Sequence, residues 1–284
     1  EVVTGVASLG QGVETVIAQI VGETLGVPLQ AITVIHGQTD RIADGRGAFA
    51  SRVTAMTGPA AALAAGEVRQ QLLALAADQL QQRAADLDIV DGLMLVRGAA
   101  TGPSVGLADL AAANGGPVTS EHWFRTSHMN YPYGVHGAVV RVDAETGAVA
   151  VERILVAYDI GRSVNPMLVD GQLAGGAAQG LGGALLEEFR FDDSGQPLSA
   201  TFADYLMPTM AEVPPIDVLV TEDAPSPVNP LGVKGAGEGG ITAIGAAIAS
   251  AIDDALGRPG AITRLPVSAE AIVGLGKLWP PTAM

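Results

Sequence analysis

The chain has 284 residues, 48% of them apolar but only 4% aromatic, with 37 glycines and a formal net charge of −15. That length suits one large domain or two ordinary ones with a core of small side chains, and the acidic balance excludes a nucleic-acid partner, which would need basic faces. Cysteine is absent, which excludes disulfides, thiolate metal sites and a cysteine nucleophile and suits a reducing, cytoplasmic compartment.

The chain opens on Glu1-Val2-Val3-Thr4 with no Met before it, as if in the middle of a strand, so a fragment or processed piece is expected. Residues 2–7 alternate like a strand and run into Gly10-Gln11-Gly12. A helix follows, with Val13, Val16, Ile17, Ile20, Val21 and Leu25 at helical spacing and a stop at Gly26. Residues 31–36 read as the next strand. The glycine-rich loop 44–52 then leads to a second helix opening near Gly58-Pro59, with Leu63, Val68, Leu72, Leu75 and Leu80 as its expected core stripe. Asp91-Gly92 between two apolar runs signals a short hairpin. Residues 99–120, small and rich in Gly and Pro, form the best internal boundary.

In the second half, 134–142 and 148–158 form a hairpin around residues 143–147. A glycine-studded helix covers 168–187, strands lie near 188–193 and 216–222, and a glycine loop at 232–240 enters a helix at 241–256. The longest apolar run, residues 241–252, is short of the ~20 residues that span a bilayer, so no membrane span is expected. Strands and helices alternate without the regular spacing of a parallel array. The fold class expected is α+β, in two related lobes.

Several loops carry glycine where a backbone must come close to something. In Gly10-Gln11-Gly12, glycines flank an amide at a helix N-terminus, where backbone N–H groups and the helix dipole favour an anion. The amide of Gln11 can donate and accept, which suits the edge of a heterocycle, although an ordinary turn with a solvated Gln would look the same. Gly235, Gly237 and Gly240 satisfy the G-x-G-x-x-G fingerprint of nicotinamide dehydrogenases. Their context fails, because Pro225-Ser226-Pro227 and the following turn residues precede them where an apolar strand should stand. Glu238 stands among these glycines without side-chain cover, so only the rest of the fold can desolvate it. A carboxylate taken out of water becomes a stronger base; one left in the first turn of a helix is worth only about 0.5 kcal/mol through the dipole.

Other chemistry is thin. His36, His122, His128 and His136 show no paired ligand spacing, so no protein-ligated metal is expected. There is no Walker A loop and no Gly-x-Ser-x-Gly elbow. Five glycines in residues 175–183 surround Gln179, at a cost to the helix of about 1 kcal/mol each against alanine. Either a neighbouring helix or a ligand must approach closely there.

In order along the chain stand Gly10-Gln11-Gly12, the Gly-Ala-Phe-Ala-Ser-Arg loop 47–52, the segment 159–166 (DIGRSVNP), Gly171-Gln172 with Gln179-Gly180-Leu181-Gly182, and the segment 232–238 (GVKGAGE). Together they resemble the C-terminal, molybdopterin-binding part of the large subunit of molybdenum hydroxylases, the xanthine dehydrogenase, aldehyde oxidase and carbon monoxide dehydrogenase family. The series looks closest to bacterial three-subunit enzymes of the carbon monoxide dehydrogenase-like and N-heterocycle hydroxylase branches. The resemblance implies two related α/β lobes with mixed sheets and packed helices, the first over 1–115 and the second over 116–284. It also implies molybdenum held by a pterin dithiolene with no protein ligand, and a pterin carrying a cytosine dinucleotide.

By the same resemblance Gly10, Gln11, Gly12, Phe49, Ala50, Ser51, Arg52, Thr54, Asn165, Gln179, Lys234 and Gly237 contact the cofactor, with Phe49 also facing substrate. Glu238 matches the family's catalytic glutamate. The implied reaction is oxidative hydroxylation of an aldehyde or N-heteroaromatic carbon with water as the oxygen source, Glu238 taking the proton from that oxygen. Oxidation of carbon monoxide, a nicotinamide dehydrogenase built on residues 235–240, and a non-catalytic docking fragment are the alternatives. The implied partners are the N-terminal half of the large subunit, an iron–sulfur subunit with [2Fe–2S] clusters and an FAD subunit, in a dimer of heterotrimers.

Overall fold

The structure is a computed structural model that describes residues 1–99 and 101–277. Ala100, within the expected boundary 99–120, and residues 278–284, the end of the expected second lobe, lie outside the described residues. Helices and small sheets mix without a barrel. The chain divides into two compact units: unit 1 comprises Glu1–Asn130, Arg162–Asn165 and Pro225–Gly235, and unit 2 comprises Tyr131–Gly161, Pro166–Ala224 and the chain from Ala236 onward.

In unit 1, β1 (Val2–Thr4) and β2 (Val34–His36) pair in parallel through α1 (Val13–Leu25), with Val2 opposite Val34. Helix α1 ends at Gly26, φ 78°, where an added Cβ would lie 2.0 Å from the Ile89 carbonyl oxygen. Only glycine turns the chain there without a clash. The buried face of α1 (Val13, Ile17, Val21) packs with Ala61 and Ala65 of α2 (Gly58–Leu80). Further along, α2 changes partner: Leu72, Leu73 and Ala76 join Leu87, Ile89, Met94 and Val105 in a separate cluster. One leucine stripe therefore does not describe this helix. Leu63, expected in the core, is 43% exposed, because the half of α2 that meets α1 uses alanines to bring two backbones close.

The hairpin of β3 (Leu87–Val90) and β4 (Leu93–Val96) turns at Asp91 (φ 50°) and Gly92 (φ 78°), with Val90 opposite Leu93. Two left-handed residues match the twist of a two-residue hairpin. The small-residue stretch 99–120 is not bare connection. It contains β5 (Ser104–Gly106), antiparallel to β4, and α3 (Leu107–Ala113), which buries Leu110.

In unit 2, β6 (Tyr133–Val142) and β7 (Val149–Asp159) form the long hairpin. Helix α4 (Pro166–Leu185) carries the chain to β8 (Ile216–Thr221), which runs parallel to β7 with Ile154 opposite Ile216. The inner face of this mixed sheet, Ile154, Val156 and Tyr158, is buried with Leu173, Ala177 and Leu181 of α4 and Ile244, Ile248 and Ile252 of α5 (Ile244–Ala255). Helix α6 (Ala269–Lys277) adds Ile272 to the same core. The strand expected at 188–193 is irregular chain with one bridge between Phe191 and Pro197. Helix α5 begins three residues after the expected Ile241, because residues 237–243 turn before the helix starts. Among the described residues no helix is long and apolar enough to cross a membrane.

Candidate functional site

In unit 1 the residues Gly10, Gln11 and Gly12 form a loop into α1, with φ 98° at Gly10 and 82° at Gly12. Among the described residues no side chain caps the N-terminus of α1. Gln11 closes its own loop, its Oε1 accepting from the Leu9 N–H (2.6 Å) and its Nε2 donating to the Ala7 carbonyl (3.3 Å). The base of the loop is tied by His36, whose Nδ1 accepts from the Ser8 N–H (3.4 Å) while Nε2 pairs with Glu14 (2.8 Å). The Glu14 carboxyl is held below the usual range, first by its own backbone N–H and then by His36. It is exposed, so the pair orients the loop more than it stabilises the fold.

Residues 47–57 form the second wall. Gly47, Ala50 and Ser51 take φ of 69°, 51° and 53°, and a π-helical turn, Val53–Thr57, contains Thr54. Left-handed alanine and serine cost on the order of 1 kcal/mol each, strain that collects at functional sites. The guanidinium of Arg52 stacks 5.0 Å from the centre of the half-exposed Phe49 ring. Against this wall lies the segment 225–235. An added Cβ at Gly235 would meet the Ser51 carbonyl oxygen at 2.5 Å, and Asn229 donates to the Ala55 carbonyl (2.8 Å). Lys234 is only 9% exposed, and Asn130 donates to the Val233 carbonyl beside it (2.7 Å). Asn165 donates to Gln19 of α1 (3.0 Å). The buried hydroxyls of Ser163 and Ser226 have no hydrogen-bond partner among the described residues. Unit 1 thus gathers Ala50, Ser51, Arg52, Thr54, Lys234 and Asn165, with Gln11 at the end of α1.

Gln179, Gly237 and Glu238 belong to unit 2. Glu238 is exposed, on a turn where Gly239 N–H donates to the Ala236 carbonyl (3.0 Å) and Thr242 Oγ1 to the Glu238 carbonyl (2.8 Å). The turn is pinned from behind, since an added Cβ at Gly240 would lie 2.0 Å from the Leu173 carbonyl oxygen. Helix α4 spends its glycines on two faces. Gly176 and Gly180 press against Gly240, Ile241 and Ile244, whereas Gly171, Gly175 and Gly183 face open space on the side that exposes Gln179. Close packing accounts for the first face only.

The carboxylate of Asp159, 2% exposed, accepts from Gly161 N–H (2.9 Å), Ala224 N–H (3.1 Å) and Thr221 Oγ1 (3.3 Å). It is occupied in joining the end of β7 to the end of β8. Asp159→Ala leaves those buried donors unpaired and should cost about 3 kcal/mol, read as a lower denaturation midpoint. Among the described residues no cluster of His, Asp or Glu could hold a metal ion. Sequence reasoning passed over His136, Asn130 and Asn229. For His136 a signal existed, because the alternation of β6 puts it on the inner face with Ala138 and Val140.

A family model described as a molybdopterin cofactor-binding domain matches residues 1–214. Among curated proteins, the gamma subunit of the 6-hydroxypseudooxynicotine dehydrogenase complex of Paenarthrobacter nicotinovorans is 43% identical over 279 residues, 95% of this chain and 35% of that protein. Among solved structures, quinoline 2-oxidoreductase from Pseudomonas putida 86 superposes with a TM-score of 0.85 at 36% identity, over 98% of this chain and 36% of that one. Reconstituted CO dehydrogenase from Oligotropha carboxidovorans gives a TM-score of 0.85 at 30% identity, over 96% and 35%. The chain spans about one third of the length of these relatives.

Proposed function

The chain belongs to the molybdopterin cofactor-binding domain family of molybdenum hydroxylases, and on that premise we propose that it holds the cofactor and supplies the base for oxidative hydroxylation of an N-heteroaromatic or aldehyde carbon. The observation that carries this reading is the contact of Gly235 with Ser51, which closes two glycine-rich segments into one cradle beside the nearly buried Lys234. The cradle fits a large anionic heterocycle: uncapped helix N–H groups, left-handed backbone that brings amides forward, two unpartnered hydroxyls and a cation in one unit.

Molybdenum on the pterin supplies a two-electron oxidant, with water as the source of oxygen. The chain's own groups do the rest. Gly10, Gln11 and Gly12 would present their amides to the pterin, Gln11 keeping one Nε2 proton beyond its bond to the Ala7 carbonyl. Ser51, Arg52, Thr54, Asn165 and Lys234 hold the tail, for which we assign the cytosine dinucleotide form. On the family resemblance alone Gln179 and Gly237 are assigned as further cofactor contacts and Phe49 as facing substrate. The carboxylate of Glu238 accepts the proton released from the attacking oxygen. Glu238 is exposed in this chain, and we assign its cover to the further length that the relatives possess, the N-terminal half of a large subunit. The gamma-subunit relative belongs to a complex; iron–sulfur and FAD subunits are assigned here as electron partners, in a bacterial, cytoplasmic assembly.

Identities of 43% to the 6-hydroxypseudooxynicotine enzyme and 36% to the quinoline enzyme favour the heteroaromatic substrate class over carbon monoxide. No strand leads into Gly235, since residues 222–236 are turns and irregular chain, which removes the structural context that a nicotinamide fingerprint needs. Metal and nucleotide analysis of the assembled enzyme tests the proposal. Molybdenum near one per chain with cytidine nucleotide released by acid is the expected result. Turnover without molybdenum, or turnover that depends on added nicotinamide dinucleotide bound to this chain, would overturn it.

A further inference from the structure

A turn built from Gly237, Glu238, Gly239 and Gly240 has little stiffness of its own, yet a base must be held to within a fraction of an ångström. His136 on β6 reaches across to this turn, its Nε2 3.0 Å from the Gly239 carbonyl oxygen. A carbonyl only accepts, so the ring proton sits on Nε2. Nδ1, on the other side of the ring, is buried and has no partner among the described residues. That leaves the bond to Gly239 as the ring's single polar commitment. Tyr158 stands edge-on to His136, ring centroids 6.2 Å apart, and its own ring lies 2.8 Å from where a Cβ on Gly239 would be. Gly239 is therefore held by a hydrogen bond to its carbonyl and by an aromatic ring against its Cα, one residue from Glu238.

We propose that His136 is a positioning residue for Glu238, fixing the Gly239–Gly240 peptide, the next but one plane after the Glu238 Cα, through an Nε2–H bond to the Gly239 carbonyl. The inference rests on the assignment of Glu238 as base, and it concerns a residue whose lone position on a core-facing strand would otherwise read as filler. Imidazole is the right shape for this duty. It presents one donor at a fixed reach from the strand while its carbon edges stay in apolar contact with Tyr158.

The test uses the assembled enzyme, with molybdenum content measured for each variant. His136→Phe keeps the ring volume and removes the donor; it should lower kcat about 10- to 100-fold with KM and molybdenum content unchanged, the scale expected for a catalytic group displaced by about 1 Å. His136→Gln, whose Nε2 donates at similar reach, should recover kcat to within a few-fold of wild type. Should His136→Phe not assemble, His136→Asn, with a shorter donor arm, serves as the deficient variant. A second readout does not use activity: crystal structures of the variants should show the Gly239 carbonyl turned and the Glu238 carboxylate displaced in His136→Phe, and both in place in His136→Gln. An unmoved turn in His136→Phe, or a kcat that His136→Gln fails to restore, overturns the proposal. Failure of the base assignment is distinguishable, because Glu238→Gln would then keep turnover while the turn still moved in His136→Phe.

Discussion

Glu238→Gln should leave molybdenum and pterin bound in the assembled enzyme and lower kcat by about 10²–10⁴-fold, the range that one positioned acid–base group contributes. The substitution keeps volume and polarity and removes the capacity to take a proton. The turn itself is held by backbone groups, by Thr242 Oγ1 on the Glu238 carbonyl and by the close fit of Gly240. Because Glu238 is exposed, the stability of the variant should stay within about 0.5 kcal/mol of wild type, as for surface substitutions in general. Wild-type kcat in the variant would remove Glu238 from the role assigned to it. A variant that loses its molybdenum would instead place the side chain among the cofactor's supports.

Gly240→Ala should be among the most damaging single-methyl changes in unit 2. Its Cβ would lie 2.0 Å from the carbonyl oxygen of the fully buried Leu173 and 2.9 Å from the Ala177 nitrogen, both backbone atoms of α4 that cannot rotate away. The helix or the turn must shift, at about 3 kcal/mol, and the melting temperature should fall by roughly 10 °C. The same shift moves Glu238, so turnover falls with stability. Gly175→Ala is the control. Nothing lies within 4 Å of its added methyl, and replacing a helical glycine should gain up to about 1 kcal/mol. Expectations of opposite sign for a packed and an unpacked glycine make thermal melts decisive; losses of equal size would refute the packing explanation.

What was legible in the sequence was legible because it was local. The stripe Val13, Ile17, Ile20 and Val21 defines α1, Gly26 ends it, and Asp91-Gly92 turns its hairpin, each through the conformational preference of the residues themselves. The face of α2 was not legible, because that helix exchanges an alanine contact with α1 for a leucine contact with the β3–β4 pair, and periodicity carries no record of which neighbour is where. The run 188–193 has strand-like composition, yet Phe189 and Phe191 are more than half exposed there and pair with no sheet. At the candidate site, the glycines at 10, 12, 235 and 240 announced close approach, but not to what. Gly235 and Gly240 approach the protein's own backbone at Ser51 and Leu173, while Gly10 has nothing within 4 Å of an added Cβ. His136 could be placed on an inward face, but its acceptor lies 103 residues away in the chain.

The two-faced glycine pattern of α4 also bears on how unit 2 folds. Gly171, Gly175, Gly176, Gly180, Gly182 and Gly183 together forfeit about 6 kcal/mol of helical propensity against alanine, so the segment has almost no tendency to coil alone. The β6–β7 hairpin, whose strands are adjacent in sequence, can form before any of this. Helix α4 should then condense late, once the sheet and α5 are present to receive Leu173, Ala177 and Leu181, and hydrogen exchange should find it less protected than the β6–β7 hairpin. The parallel docking of β8 must wait for it, because α4 is the crossover that brings β8 to β7. The helix that shows Gln179 on its open face should thereby report assembly, since its own sequence gives it little helical tendency without the core that Leu173, Ala177 and Leu181 join.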